Sequence, residues 1–211
     1  MSLSLFLVFF FTVFFISATP GPNMLLAFQH GINHGVRKTL WMLFGLSFGL
    51  FVLLVSALLG IDIISRRWPW LLTATKVAGA LYLFYLGVQA WRHADEEVSF
   101  SKGRQAKNKI LKSARQRFTR GMWVSLSNPK AILFFAAFFP KFINFDAPLW
   151  PQYIILTLGF FASETTWQFA YTIGGTKLSG WLGSGSRLLW LNRICGVLFI
   201  MIAVALLWEV L

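Results

Sequence analysis

The sequence predicts an all-α membrane protein, a single domain of six transmembrane helices. The chain of 211 residues is 57% hydrophobic and only 12% charged, whereas a typical soluble domain carries about 25% charged residues. Its apolar stretches each approach or exceed the roughly 20 residues that an α-helix needs to cross the ~30 Å hydrocarbon core. Lys and Arg cluster between these stretches, as they do in the links of multi-span membrane proteins.

Six apolar stretches define the predicted spans, at about residues 3–29, 40–64, 68–91, 122–145, 149–176 and 189–208. The first is too long for one straight crossing. A helix over residues 3–29 would be about 40 Å long at ~1.5 Å per residue, more than the ~30 Å core requires. We therefore expect a kink or an unwound turn within it.

Pro20, Gly21, Pro22 and Asn23 mark that interruption. Two prolines remove backbone donors and a glycine weakens the helix. In hydrocarbon, the carbonyl groups freed by such a break need partners from the protein or from a water-filled cavity. Broken helices near the membrane centre form the solute sites of many transporters. The alternative is a kink that serves helix packing alone.

The second and third spans contribute three further candidates. Gly45 and Gly49 form a small-xxx-small pattern, which lets two helices approach closely. Lys76 is the only charged residue of the third span. At about 12 Å from the outer face it lies too shallow to meet a group in the inner half of the membrane.

The long basic link at 92–120 sets the predicted orientation. It carries nine Lys or Arg residues, and by the positive-inside rule it lies in the cytoplasm. With six spans, both termini are then periplasmic. Part of this link forms either a basic amphipathic helix on the membrane or a solvated loop. Its charge suits anionic lipid rather than nucleic acid.

The fourth span has two interruptions of its own, at Asn128-Pro129-Lys130 and at Pro140. Pro140 lies 18 residues into the fourth span (140 − 122), and Pro20 lies 17 residues into the first (20 − 3). Because each half has three spans, an odd number, the second half enters the membrane in the opposite direction from the first. Matching breaks in two halves predict a 3+3 inverted repeat with a solute site between them, although chance could also produce one such match.

Glu164 is the only charged residue of the fifth span. A buried ionisable group costs about 2.5–3.5 kcal/mol on insertion scales and is a candidate functional residue for that reason. Its estimated depth matches that of Lys130, so it could exchange protons, bind a substrate ammonium, or form a structural ion pair with Lys130. Trp167, one helical turn away, forms either an aromatic wall of the site or ordinary packing.

Neither a metal site nor an enzyme centre is predicted. Cys195 is the single cysteine, and His30 and His34 have helical ligand spacing but no third ligand nearby. No nucleophile, base and metal set converges in the sequence. We therefore expect no cofactor.

Several of these motifs, taken in order, resemble the lysine-exporter superfamily (LysE/RhtB-type), in its homoserine/threonine/leucine exporter branch. The motifs are Pro20-Gly21-Pro22-Asn23, the stretch 76–83 with Leu86-Gly87, Asn128-Pro129-Lys130-Ala131, Phe139-Pro140-Lys141-Phe142 and Glu164. The resemblance covers essentially the whole chain. It implies a bacterial inner-membrane exporter of amino acids or their derivatives, driven by protons. A Glu rather than an Asp at position 164 could affect coupling.

The expected site therefore combines the two interrupted helices with the fifth span. Substrate binding and translocation are assigned to Pro20, Gly21, Pro22, Asn23, Asn128, Pro129, Lys130 and Trp167, proton coupling to Glu164, and secondary roles to Lys76, Gly45, Gly49 and Pro140. Alternatives are an exporter of another small solute or of cations, a membrane enzyme, and a non-transporting adaptor that uses the basic link. The chain could also form a homo-oligomer.

Overall fold

The computed structural model describes residues 2–19, 21–67, 69–92, 113–182 and 187–208. Every regular element in these ranges is helical, which confirms the all-α prediction. The helices are α1 (Leu3–Ala18), α2 (Pro22–Arg67), α3 (Pro69–Arg92), α4 (Ala114–Leu126), α5 (Pro129–Leu133), α6 (Leu149–Leu182) and α7 (Arg187–Trp208). Pro20 and most of the basic link lie outside the described residues, as does the side chain of Lys76.

The first interruption lies where the prolines predict it. Helix α1 ends at Ala18, and Thr19 takes an extended conformation (φ −65°, ψ 127°) while its N–H donates to the Ile16 carbonyl oxygen. Helix α2 begins at Pro22, a residue whose fixed φ suits the first helical turn and whose missing N–H costs nothing there.

Helix α2 is sharply kinked at Gly35, where two helical arms join. Gly35 has a positive φ of 73°, which glycine adopts without the steric penalty of a Cβ. The His30 Nδ1 and Thr39 Oγ1 atoms are 3.1 Å apart, although a straight helix would separate residues nine apart by about 13 Å. The polar link predicted after residue 29 is therefore a tight turn centred on one glycine.

The main bend of the second interruption lies at Asn128, the first of the two positions predicted for this segment. Helix α4 and the following segment Pro129–Phe142, which begins with α5, meet at an angle of 52° across Ser127 and Asn128. Pro140 lies further on, in a 3₁₀ turn (Phe139–Phe142) that follows a π-helical turn (Phe134–Phe138) and ends the segment. The main bend of this region is thus at Asn128, because Asn128 caps a new helix and Pro129 has no N–H to continue the old one.

Helix α4 begins at Ala114, eight residues before the predicted fourth span. Ser113 and Gln116 form a capping box: the Ser113 hydroxyl accepts from the Gln116 N–H at 3.1 Å, and Gln116 Oε1 accepts from the Ser113 N–H at 3.3 Å. This pair satisfies two backbone donors at the start of the helix. The last residues of the predicted basic link therefore belong to α4.

Helices α2 and α4 pack backbone to backbone. A methyl group at Gly45 would clash with the Phe118 carbonyl, and one at Gly49 would lie 2.6 Å from the Met122 carbonyl oxygen. The Ser125 hydroxyl donates to the Leu46 carbonyl oxygen at 2.8 Å across the same contact. The predicted small-xxx-small pattern thus serves close helix packing.

The outer faces of the helices are apolar. Exposed side chains include Trp150 at 72%, Trp70 at 67% and Leu158 at 66% of their accessible area. Within the described ranges, Pro22–Gly60 is long and apolar enough to cross a membrane, and the bent pair Ala114–Leu126 with Pro129–Phe142 passes the same test as one unit.

Candidate functional site

A small cavity lies where the α1–α2 interruption meets the start of α5 and the middle of α6. Its volume is about 40 Å³, room for roughly three water molecules. Seven of its lining residues are polar or glycine: Ser17, Thr19, Gly21, Asn23, Asn128, Lys130 and Glu164. Six of these seven, all except Ser17, fall in the two interruptions or at the predicted coupling position.

The second interruption positions Lys130. Asn128 Oδ1 accepts from the Lys130 backbone N–H at 3.1 Å, which caps α5, and Pro129 occupies the first turn. The Lys130 side chain then reaches back to α1, where its Nζ donates to the Ile16 carbonyl oxygen at 2.7 Å and to the Thr19 carbonyl oxygen at 3.3 Å. One ammonium group therefore satisfies two carbonyls at the end of α1, where the helix dipole is negative.

Tyr171 satisfies a third carbonyl of the same helix end. Its hydroxyl donates to the Ala18 carbonyl oxygen at 2.7 Å, and Tyr171 is only 2% exposed. This partner was missed in the sequence. The signal was present, because Tyr171 lies seven residues after Glu164, about two helical turns along the same face of α6.

Glu164 is 7% exposed and lines the cavity from α6. The Lys130 ammonium attracts its carboxyl group, and the polar side chains of Ser17, Asn23 and Gln168 lie close enough to interact with it. The structure therefore brings together Glu164, Lys130 and Asn23, as the depth estimate predicted. Ser17 and Gln168 were not predicted, although Gln168 follows Glu164 by one turn.

Two polar atoms of residues that line the cavity have no hydrogen-bond partner in the described part of the chain: Asn23 Oδ1 and Thr19 Oγ1. Asn23 is only 4% exposed. Leaving a buried polar atom unpaired costs about 1–3 kcal/mol. A ligand or water molecule in the cavity could pair with them.

Other predicted residues lie away from the cavity. Trp167 packs against Phe14 and Tyr171, with ring centroids 5.2 and 6.4 Å away, and is not among the lining residues. Gly45 and Gly49 contact α4 instead, and Pro140 is buried next to the phenylalanine core around Phe139.

The described residues hold no group of three or more His, Cys, Asp or Glu side chains that could bind a metal. His30 and His34 stack on each other with centroids 4.2 Å apart. Their close spacing thus reflects ring packing near the Gly35 turn.

Comparison with known proteins gives consistent results. The chain is 29% identical over 192 residues to the "homoserine/homoserine lactone efflux protein" of Salmonella typhimurium, covering 90% of each chain. It is 30% identical over 194 residues to the "leucine efflux protein" of the same organism, covering 88% of this chain and 86% of the relative. An "uncharacterized membrane protein" of Vibrio cholerae is 26% identical over 199 residues, with 94% of each chain covered.

No solved structure matches the chain significantly. Residues 14–210 match a family of membrane translocators, which confirms the prediction of a transporter rather than an enzyme. By this match, the chain belongs to the LysE type translocator family.

Proposed function

We propose that this protein exports α-amino acids or their derivatives across the bacterial inner membrane in exchange for protons. The observation that carries the proposal is the cavity itself, which a buried carboxyl group, Glu164, and an ammonium group, Lys130, line together at a broken helix. An amino acid zwitterion carries the same two charges. The relatives named for leucine and for homoserine efflux support this substrate class.

The membrane arrangement we propose has six spans in a 3+3 inverted repeat. The kink at Gly35 supports it, because it lies between the end of the first predicted span and the start of the second. Thr19 and Gly21 from the first interruption and Asn128 from the second line the one cavity, as two half-sites of a repeat would. The basic residues of 92–120 support a cytoplasmic location for that link and, with six spans, periplasmic termini.

Glu164 can couple proton entry to amino-acid exit because its carboxyl group is either protonated or, when a substrate ammonium occupies the same cavity, negatively charged. On the cytoplasmic side, the arriving ammonium favours the charged carboxylate, so a proton leaves to the cytoplasm. On the periplasmic side the amino acid departs and Glu164 takes up a proton from outside. Each cycle then moves one amino acid outward and one proton inward.

The test is uptake of labelled L-leucine and L-homoserine into inverted membrane vesicles, with and without an acidic interior. We expect Glu164→Gln to lower the rate of gradient-driven uptake at least tenfold. The variant should retain part of the exchange of labelled for unlabelled amino acid. Gln keeps the size of the side chain but cannot release a proton. Asp146→Asn is the matched control, since Asp146 is exposed and outside the cavity.

A structural ion pair gives a different result. If Glu164 only neutralises Lys130, Glu164→Gln strands a buried charge and lowers abundance, and adding Lys130→Met restores gradient-driven uptake. Under proton coupling, the double variant recovers abundance at most and stays uncoupled. Gradient-driven uptake by either variant at the wild-type rate refutes the proposed role of Glu164.

A further inference from the structure

The end of helix α1 has the features of a site for a primary ammonium group. Carbonyl oxygens of Ile16 and Thr19 lie 2.7 and 3.3 Å from the Lys130 Nζ. They belong to the negative end of a helix dipole. The Phe199 ring centroid lies 5.7 Å from the same nitrogen, within the range of a cation–π interaction.

The same cavity holds acceptors that Lys130 does not use. Asn23 Oδ1 and Thr19 Oγ1 are buried without a partner in the described ranges, and both residues line the cavity with Glu164. Together with the carbonyl oxygens of Ile16 and Thr19 they make four acceptors, an acceptor-rich wall of the cavity. One ammonium group has three N–H donors, so this wall offers more acceptors than one ammonium can use.

We propose that this wall is the subsite for the substrate's α-ammonium. In the absence of substrate, the Lys130 ammonium occupies the subsite, and the substrate displaces it. The inference rests on the proposed function for its choice of an amino acid as substrate. The displaced Lys130 ammonium then pairs with the α-carboxylate of the same substrate, so each charged group of the bound substrate has a partner in the cavity.

Displacement gives Lys130 a role in specificity. A zwitterion offers the displaced ammonium a new partner, its own carboxylate. An amine without a carboxylate offers none, so Lys130 gives up its bonds to the Ile16 and Thr19 carbonyl oxygens without replacement. Lys130 therefore selects for ligands that carry both groups.

The first experiment needs no transport. Lys130→Ala removes four side-chain atoms, Cγ through Nζ, which together correspond to propylammonium. We expect propylammonium chloride to raise the melting temperature of the purified variant in a concentration-dependent way, as a ligand of the folded state does. Tetramethylammonium has the charge but no N–H donors, and 1-propanol has the length but no charge, so neither should act. The wild type, whose subsite is filled, should respond no more than to these controls.

A second variant covers the case that Lys130→Ala does not fold. Lys130→Met keeps most of the stem and ends one atom short of the nitrogen, so ammonium chloride should stabilise it more than potassium chloride does. If propylammonium or ammonium stabilises the variants no more than the matched controls do, the subsite is refuted.

The second experiment measures specificity on the same variant. We expect the melting temperature of the wild type to respond to L-leucine or L-homoserine at concentrations at least tenfold lower than to the corresponding amide. Lys130→Met should lose or reverse this preference, and an unchanged preference overturns the role of Lys130. Failure of the wild type to transport either amino acid refutes the proposed function alone, because stabilisation by propylammonium still establishes the ammonium subsite.

Discussion

Tyr171→Phe tests how the interrupted helix is held. The substitution removes one oxygen atom, and with it the 2.7 Å hydrogen bond to the Ala18 carbonyl oxygen. Both residues are almost fully buried, Tyr171 at 2% and Ala18 at 0% exposure. The carbonyl therefore stays in the protein interior without its donor, since Phe cannot replace the hydroxyl.

An unpaired buried acceptor costs about 1–3 kcal/mol, which corresponds to a melting temperature lower by roughly 2–12 °C in a chain of this size. Tyr85→Phe is the matched control, because Tyr85 is 57% exposed and surface changes usually stay within about 0.5 kcal/mol. Thermal unfolding of the two purified variants in the same detergent gives the comparison. Equal melting temperatures for Tyr171→Phe and Tyr85→Phe would refute the idea that the break depends on this donor.

The remaining predictions concern helix packing and orientation. Gly45→Ala should destabilise the protein by about 1–3 kcal/mol, because its methyl group meets the rigid backbone of α4. Gly21→Ala, whose methyl group would lie 3.7 Å from the Lys130 Cδ, should change stability far less, and similar losses for both would contradict the packing argument. A reporter fused after Asp95 should read as cytoplasmic and one fused after Leu211 as periplasmic, and the opposite result at either position rules out the proposed orientation.

The main polar residues of the cavity are recognisable in the sequence, because placing a charged side chain or a helix break within a membrane costs free energy. Glu164 and Lys130 are conspicuous as charges in apolar stretches, and the first interruption is conspicuous for its two prolines. A depth estimate from the rise per residue then placed them in one leaflet, and the structure places them around one cavity.

Other features depend on tertiary contacts that no local pattern encodes. The match with Pro20 favoured Pro140 as the corresponding break, but the direction of the chain changes most at Asn128, where a capping side chain starts a new helix. Ser17 looks like an ordinary residue of an apolar helix until its position beside Glu164 is known. Trp167 was assigned to the site from its distance along α6, although its packing against Phe14 directs it elsewhere.

The small volume of the cavity, about 40 Å³, has a consequence for measured affinity. An amino acid of leucine's size does not fit, so this conformation must open before it can bind. The apparent dissociation constant is then the intrinsic constant divided by the fraction of molecules that are open. Each tenfold decrease in that fraction weakens the measured affinity tenfold, or about 1.4 kcal/mol. The measured affinity for an amino acid therefore depends on the fraction of molecules with an open cavity as well as on the contacts between the cavity and the amino acid.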